Sequence, residues 1–293
     1  MRTVPFQKIL ERCARKCGIL PDSADYTNEF VELLVAAINE GLVYAWKAAP
    51  WPDVVGIEER QFAADYAAGT TYATDDVVFY GDQYWISLAD SNTGHTPATG
   101  SAYWEATSDY DLYVARDQSW ADTEIAEYLT ITDRDPRKSK VPYYYLFTTD
   151  ADGAWLTSNC SSATVWVRFR KVCPRFGHEE WADTTTYAAG DLAIGGDGEC
   201  YVCLTASTNN DPTLQASATY WQKVEFPESF ERYVLHWARA WYLRDDGQDD
   251  KASAEEEMAE QALQMMSLEL FGGQDQQDAP VRMSGYGVKA GRR

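Results

Sequence analysis

The chain has 293 residues, 45% apolar and 24% charged, enough for one large domain or a few small ones with a sizeable core, which excludes disorder of the whole chain. Its net charge of −21 repels phosphate and excludes a nucleic-acid binder built on a basic groove. Apolar stretches such as 30–37 fall well short of a bilayer span, the opening carries no apolar signal segment, and six scattered cysteines (Cys13, Cys17, Cys160, Cys173, Cys200, Cys203) fit reduced thiols, so the expectation is a soluble protein of the cytoplasm.

The first fifty residues have helical periodicity. Phe6, Ile9, Leu10, Cys13 and Cys17 form one stripe after Thr3 and Pro5, and Gly18 suits a helix stop. A longer stripe follows through Phe30, Leu33, Leu34, Ala37, Ile38, Leu42 and Trp46, ending before Pro50.

Residues 61–224 lose this period and become rich in Thr, Tyr, Val, Gly and Asp, as β structure does. Within them lies an internal repeat. Residues 70–77 align with 185–192 at an offset of 115, Tyr84-Trp85-Ile86-Ser87 with Tyr201-Val202-Cys203-Leu204 at 117, and Tyr103-Trp104 with Tyr220-Trp221 at 117. Each copy spans only about 45 residues, so its fold leans on a few large aromatics. Between the copies, Asp111–Arg116, Tyr128–Thr132, Val141–Phe147 and Thr164–Lys171 read as strands, the last sending Val165, Val167 and Phe169 outward against Trp166, Arg168 and Arg170. Residues 150–153 read as a turn.

The repeated order Thr-x-Tyr, Gly/Asp-Asp-Val, Tyr-x-Cys/Ser, Thr-Pro, Tyr-Trp resembles the small chitin-binding-type β modules appended to bacterial chitinases, over residues 65–107 and 181–224. That resemblance implies glycan stacking by exposed aromatics, with Tyr84, Trp85 and Trp104 as the candidates in the first copy and Tyr201 and Trp221 in the second. Core packing is the competing reading of all five, and Val202 aligned with Trp85 removes one stacking surface from the second copy.

Helical periodicity returns after Pro227, with Phe230, Val234, Leu235, Trp237, Ala238, Trp241 and Tyr242 before a break at Gly247. A fourth helix over about 251–270 carries Met258, Ala262, Leu263, Met266 and Leu270 on one side. Single apolar stripes need partners, so the first two helices are expected to pair with the last two. The closing segment 279–293 has no acid and carries Arg282, Lys289, Arg292 and Arg293, while Gly285, Gly287 and Gly291 deny it a helix. A polar arm of that kind stays loose unless a partner supplies contacts.

No residues assemble an enzyme site. His95, His178 and His236 fall in a module loop, a linker and a helix, so no catalytic triad can be nominated. Cys200-Tyr201-Val202-Cys203 has CxxC spacing without a second ligand pair, and its two thiols are expected on opposite strand faces. Gly195-Gly196-Asp197-Gly198 reads as a hairpin turn rather than a phosphate loop. The acids of 245–260 read as a solvated face, since their order does not match a calcium loop. No metal, cofactor or catalytic residue is expected.

Helix pair, β insertion, helix pair and free arm is the layout of the adaptor proteins beneath the portal ring of tailed bacteriophages. Ile38-Asn39-Glu40-Gly41-Leu42, Ala49-Pro50-Trp51-Pro52, the 165–176 strand running into Pro174, the 232–247 helix and the Glu-rich helix after it resemble that family over about 1–60, 109–177 and 226–293. The repeats at 65–107 and 181–224 depart from it.

The helical stripes, the internal repeat and the two resemblances together lead to the expectation of an α+β fold: a discontinuous α-helical bundle (1–60 and 225–271), a small β module (61–108), a β insertion (109–177), a second module (178–224) and a flexible C-terminal arm (272–293). The adaptor resemblance implies a virion protein of the head–tail neck, assembled in the bacterial host cytoplasm, that forms a twelve-fold ring with itself. Its partners would be the portal protein above and a tail, stopper or tail-terminator protein below, with double-stranded DNA passing through and no membrane contact. Arg282, Tyr286, Lys289, Arg292 and Arg293 would dock to the portal, and Asp245, Asp246, Asp249, Asp250 and Glu255 would face the channel. The alternative is a carbohydrate-binding protein recognising chitin-like or host-surface glycans.

Overall fold

A computed structural model describes residues 2–108, 113–116, 125–139, 141–151, 153–157 and 164–271. Helix and strand take near-equal shares, 30% and 29%, so the chain is of mixed class, with four helices and several small sheets among the described residues. It divides into two compact units: residues up to Asp53 together with those from Cys173 onward, and Val54–Val172.

The first unit holds α1 (Phe6–Lys16), α2 (Asn28–Ala48), α3 (Glu231–Asp245) and α4 (Asp249–Phe271). Both expected glycine stops are present. Gly18 has φ +88 and Gly247 φ +71, and at each the glycine's own amide and the next donate back to the last turn, Gly18 N to Arg15 O with Ile19 N to Ala14 O, and Gly247 N to Arg244 O with Gln248 N to Leu243 O. The Thr27 hydroxyl caps α2 by accepting from Phe30 N at 3.2 Å. Helix α3 packs against α1, α2 and α4, which is why it buries Tyr233, Val234, Ala238, Ala240 and Leu243 around its circumference rather than along one stripe.

The two chain ends meet directly. Thr3–Val4 pairs antiparallel with Phe226–Pro227, the Arg12 guanidinium bonds the Glu231 carboxylate, and Trp46 and Trp51 both pack on Phe230. Helix α4 departs from its expected stripe. Its buried side is made of Ala252, Ala259, Ala262 and Leu263, small enough for close approach to α3, while Met258 and Leu270 lie exposed.

The second unit contains a four-stranded antiparallel sheet in the order Tyr144–Tyr145, Ile125–Thr132, Thr164–Lys171, Val55–Gln61, and a three-stranded sheet of Phe147–Thr149, Gly153–Leu156 and Tyr113–Ala115. One core joins them: Val114, Ala154 and Leu156 from the smaller sheet meet Ile125, Tyr128, Ile131, Val165, Val167 and Phe169 from the larger. Several expectations are corrected here. Val165, Val167 and Phe169 point inward, because their face is the one the second sheet covers. The single strand expected over 141–147 is two, which leave for different sheets on either side of the exposed Leu146. The β insertion begins at Val54, before the first module, since Val55–Gln61 pairs along its length with Thr164–Lys171.

The two copies of the repeat fold alike. A two-residue ladder (Thr71–Tyr72 with Asn92–Thr93; Thr186–Tyr187 with Ser207–Thr208) accompanies a three-stranded sheet (Val77–Tyr80, Gln83–Ser87, Trp104–Thr107; Leu192–Ile194, Cys200–Cys203, Trp221–Lys223). The sheet register corrects the alignment by one residue. Val77 pairs with Ile86, and its equivalent Leu192 pairs with Val202, so Trp85 corresponds to Tyr201 and Tyr84 to Cys200, at an offset of 116. One residue of slip exchanges the two faces of a strand, so the copies differ less than their aligned sequences imply.

Candidate functional site

The module aromatics form a closed internal network. Tyr72 and Tyr187 each stand edge-on to the closing Trp, at 5.3 and 5.0 Å. Their hydroxyls accept from Ala67 N and Ala182 N, and the indole N–H groups of Trp104 and Trp221 donate to the carbonyls of His95 and Asn210. The Asp of each motif completes the frame, Asp76 and Asp191 accepting from Ala73 N and Ala188 N. Of the five residues nominated for glycan stacking, Tyr84 is 2% exposed, Trp85 6%, Trp104 1%, Tyr201 9% and Trp221 3%. A sugar needs a ring face open to solvent, whereas Trp85, Trp104, Tyr201 and Trp221 pack in the module cores and Tyr84, on the other strand face, packs on Phe79 and accepts from Phe62 N; the packing reading of all five is the one the burial supports. His95 is a turn residue whose Nδ1 lies 3.0 Å from Asn92 Oδ1 and whose ring stacks on Tyr103.

The acids of 245–260 divide into two sets. Asp245, Asp246, Asp249 and Asp250 are exposed around the turn between α3 and α4. Glu255 is instead an internal clamp. Its carboxylate lies 2.6 Å from His236 Nδ1, 3.0 Å from Arg239 Nε and 3.7 Å from Lys16 Nζ, and the Arg239 guanidinium also donates to Lys16 O at the end of α1. Three basic groups from two helices therefore converge on one carboxylate from a third, and the channel-facing role assigned to Glu255 is corrected to a structural one. Burial, opposed by Arg239, pushes the adjacent Cys17 thiol up to about 11.

A second junction ties the later module to α1. That helix has Pro5 as its N-cap residue and no cap from its own side chains; Glu199, from the module hairpin 193 residues away, accepts from Phe6 N at 3.0 Å with its other oxygen 2.9 Å from Lys223 Nζ. A carboxylate here meets the positive end of the helix dipole. Gly198 beside it has φ +75, and a Cβ on it would fall 2.1 Å from the Gln7 side chain, so the hairpin tip lies flush on α1 only because it is glycine. The cleft along this junction, lined by Thr3, Val4, Pro5, Glu199 and Lys223–Glu225, holds about 160 Å³, below the roughly 300 Å³ at which small-molecule sites begin.

Asn39 holds the returning chain. Its amide donates to Phe176 O and accepts from Phe176 N, both at 2.9 Å, and Phe176 stacks on Phe6 at 4.3 Å. Two residues on, Gly41 lets Trp237 lie against α2, where a Cβ would fall 2.5 Å from the indole. The Asn and Gly of Ile38-Asn39-Glu40-Gly41-Leu42 thus each have a packing task. Sequence reading missed Asn39 and Glu199, although a polar residue on an apolar helix face and a lone acid opening a buried strand are the signals that mark them.

Among the described residues no group of three or more His, Cys, Asp or Glu is placed to hold a metal ion, and no helix is long and apolar enough to cross a membrane. Cys200 and Cys203 are both buried but on opposite faces, Cys203 in the module core and Cys200 Sγ accepting from Gly177 N at 3.3 Å. Arg282, Tyr286, Lys289, Arg292 and Arg293 lie outside the described residues. No known protein family matches the chain, and comparison with curated proteins gives no match either.

Proposed function

We propose that this chain is a non-enzymatic connector of the virion neck: an adaptor that assembles as a ring between portal and tail, gives passage to DNA, and grips the portal with its cationic C-terminal arm. The observation that carries the reading is the joining of the two chain ends. Residues up to Asp53 and from Cys173 onward make one unit, held by the Thr3–Val4 and Phe226–Pro227 ladder and by the Glu255 clamp, the joined helical ends that the adaptor layout calls for. The exposed acids Asp245, Asp246, Asp249 and Asp250 support the same reading, because like charge on a lumen wall keeps a polyanion from adhering. Glycan binding through Tyr84, Trp85, Trp104, Tyr201 and Trp221 is not carried forward, since their rings are buried.

The test is binding to portal rings purified from the same phage, followed by mass photometry. The intact chain is expected to add mass to the ring, and a chain ending at residue 278 is expected to lose that binding while keeping its helical circular dichroism. Equal binding with and without residues 279–293 would remove the docking role of the arm, and no binding by the intact chain would remove the connector reading.

A further inference from the structure

Two exposed apolar surfaces of opposite charge belong to the same chain. The first is the outer side of α4, where Ala254, Met258, Gln261, Met265 and Leu268 follow one another at alternating steps of four and three residues, all exposed, with Met258 at 46%, Met265 at 50% and Leu268 at 66%. That spacing is the seam by which helices pack side by side, and it lies apart from the alanine face turned toward α3. Glu257, Glu260 and Glu269 surround it, and Lys251 is the only cation of the helix.

The second surface is the hairpin between Ile125–Thr132 and Tyr144–Tyr145, at the edge of the four-stranded sheet. Val141 is 82% exposed, Leu146 75%, and Tyr143 and Tyr144 58% each. The sequence of 133–140 carries Arg134, Arg137, Lys138 and Lys140 against Asp133 and Asp135, a net +2 (4 − 2) in a chain whose net charge is −21, and Arg134 pairs with Asp133 while Arg137 and Lys138 pair with Asp135. Arg137 is held in place, its guanidinium paired with Asp135 and lying 5.3 Å from the Trp166 ring centre.

We infer that the hairpin of one copy docks on the α4 seam of a second copy. An acidic chain repels its own copies everywhere except where it presents a cationic surface, and this cationic surface is also apolar, as is the acidic seam it would meet. Because the two patches differ, the contact is head-to-tail: each copy keeps one unused hairpin or one unused seam, and addition continues until the assembly closes. The inference deepens the connector reading and rests on it for closure into a ring; the contact itself follows from the two surfaces.

The experiment uses the full chain alone in sedimentation velocity up to about 100 μM, where contacts of micromolar strength are populated. The wild type is expected to grow with concentration and to shift back toward monomer when salt is raised. Met265→Lys with Leu268→Lys on the seam, and Val141→Glu with Leu146→Glu on the hairpin, change exposed positions and leave each unit folded, and each double variant is expected to stay monomeric. An equal mixture of the two is expected to give dimers and nothing larger, since each variant retains the surface the other lacks; a symmetric contact predicts no such rescue. A wild type that stays monomeric at every concentration, a double variant that assembles like wild type, or a mixture without dimers would overturn the contact. A monomeric chain that still binds portal rings sinks this contact and leaves the connector reading standing, whereas an assembling chain that leaves portal rings bare does the reverse.

Discussion

The two small modules are built to one pattern and attached to different hosts. The first belongs with the β unit, where Tyr84 reaches out to accept a hydrogen bond from Phe62 N; the second belongs with the helices, where Cys200 at the same position accepts from Gly177 N. Positions 62 and 177 are themselves equivalent, so each module grips its own incoming chain at the same place. The difference lies in one hairpin. The first module turns through Gly81 and Asp82, both at left-handed φ, as a two-residue turn demands. The second has one residue more at this point, and its longer tip, Gly195–Glu199, brings a carboxylate to the uncapped end of α1. A loop insertion can thus turn a self-contained domain into part of a neighbour's framework.

The comparison can be broken most sharply at the closing tryptophans. Trp221→Ala and Trp104→Ala each remove a ring the module is folded around and should cost about 3–5 kcal/mol of the unit concerned. Hydrogen exchange should separate them: Trp221→Ala should raise exchange in α1 as well as in its module, and Trp104→Ala should leave α1 untouched. Equal protection of α1 in the two variants would mean that the second module is as independent as the first.

A smaller contrast is expected at the glycines. Gly81→Ala forces a left-handed conformation into open space and should cost about 1–2 kcal/mol, whereas Gly198→Ala must also displace Gln7 and should approach about 3 kcal/mol. Smaller still, Glu199→Ala should lower stability by about 1 kcal/mol through loss of the α1 cap, with Gln83→Ala in the first module's turn within about 0.5 kcal/mol of wild type. Chemical denaturation of the four variants checks these values.

The smallest effect is on reactivity. Burial pushes the Cys17 and Cys200 thiols up to about 11 and the Cys173 thiol up to about 12, leaving little thiolate near neutral pH. Alkylation of these three at pH 8 should run about a hundredfold slower in the native chain than after denaturation. Fast native labelling of Cys200 alone would show that the second module opens at its incoming chain.

The four helices were legible in the sequence because apolar stripes and the glycines Gly18 and Gly247 act locally, and the modules were legible because they repeat. The register of the second copy was hidden by its single extra turn residue, since a Tyr falls at both 84 and 201 and invites the wrong pairing. Val55–Gln61 was illegible as a strand for another reason: it carries Glu58, Glu59 and Arg60, and its partner Thr164–Lys171 lies more than a hundred residues on. Glu255 reads as one more acid in an acidic run, and only the convergence of α1 and α3 on it turns it inward. Aromatics nominated for a ligand were instead consumed by the folding of 45-residue modules, which have little else to bury.

The most direct test of the connector account is negative-stain imaging of portal rings from the same phage, mixed with an excess of the intact chain. The account predicts a closed collar of added density on one face of every ring, centred on its axis. Bare portal rings beside free chains would contradict it.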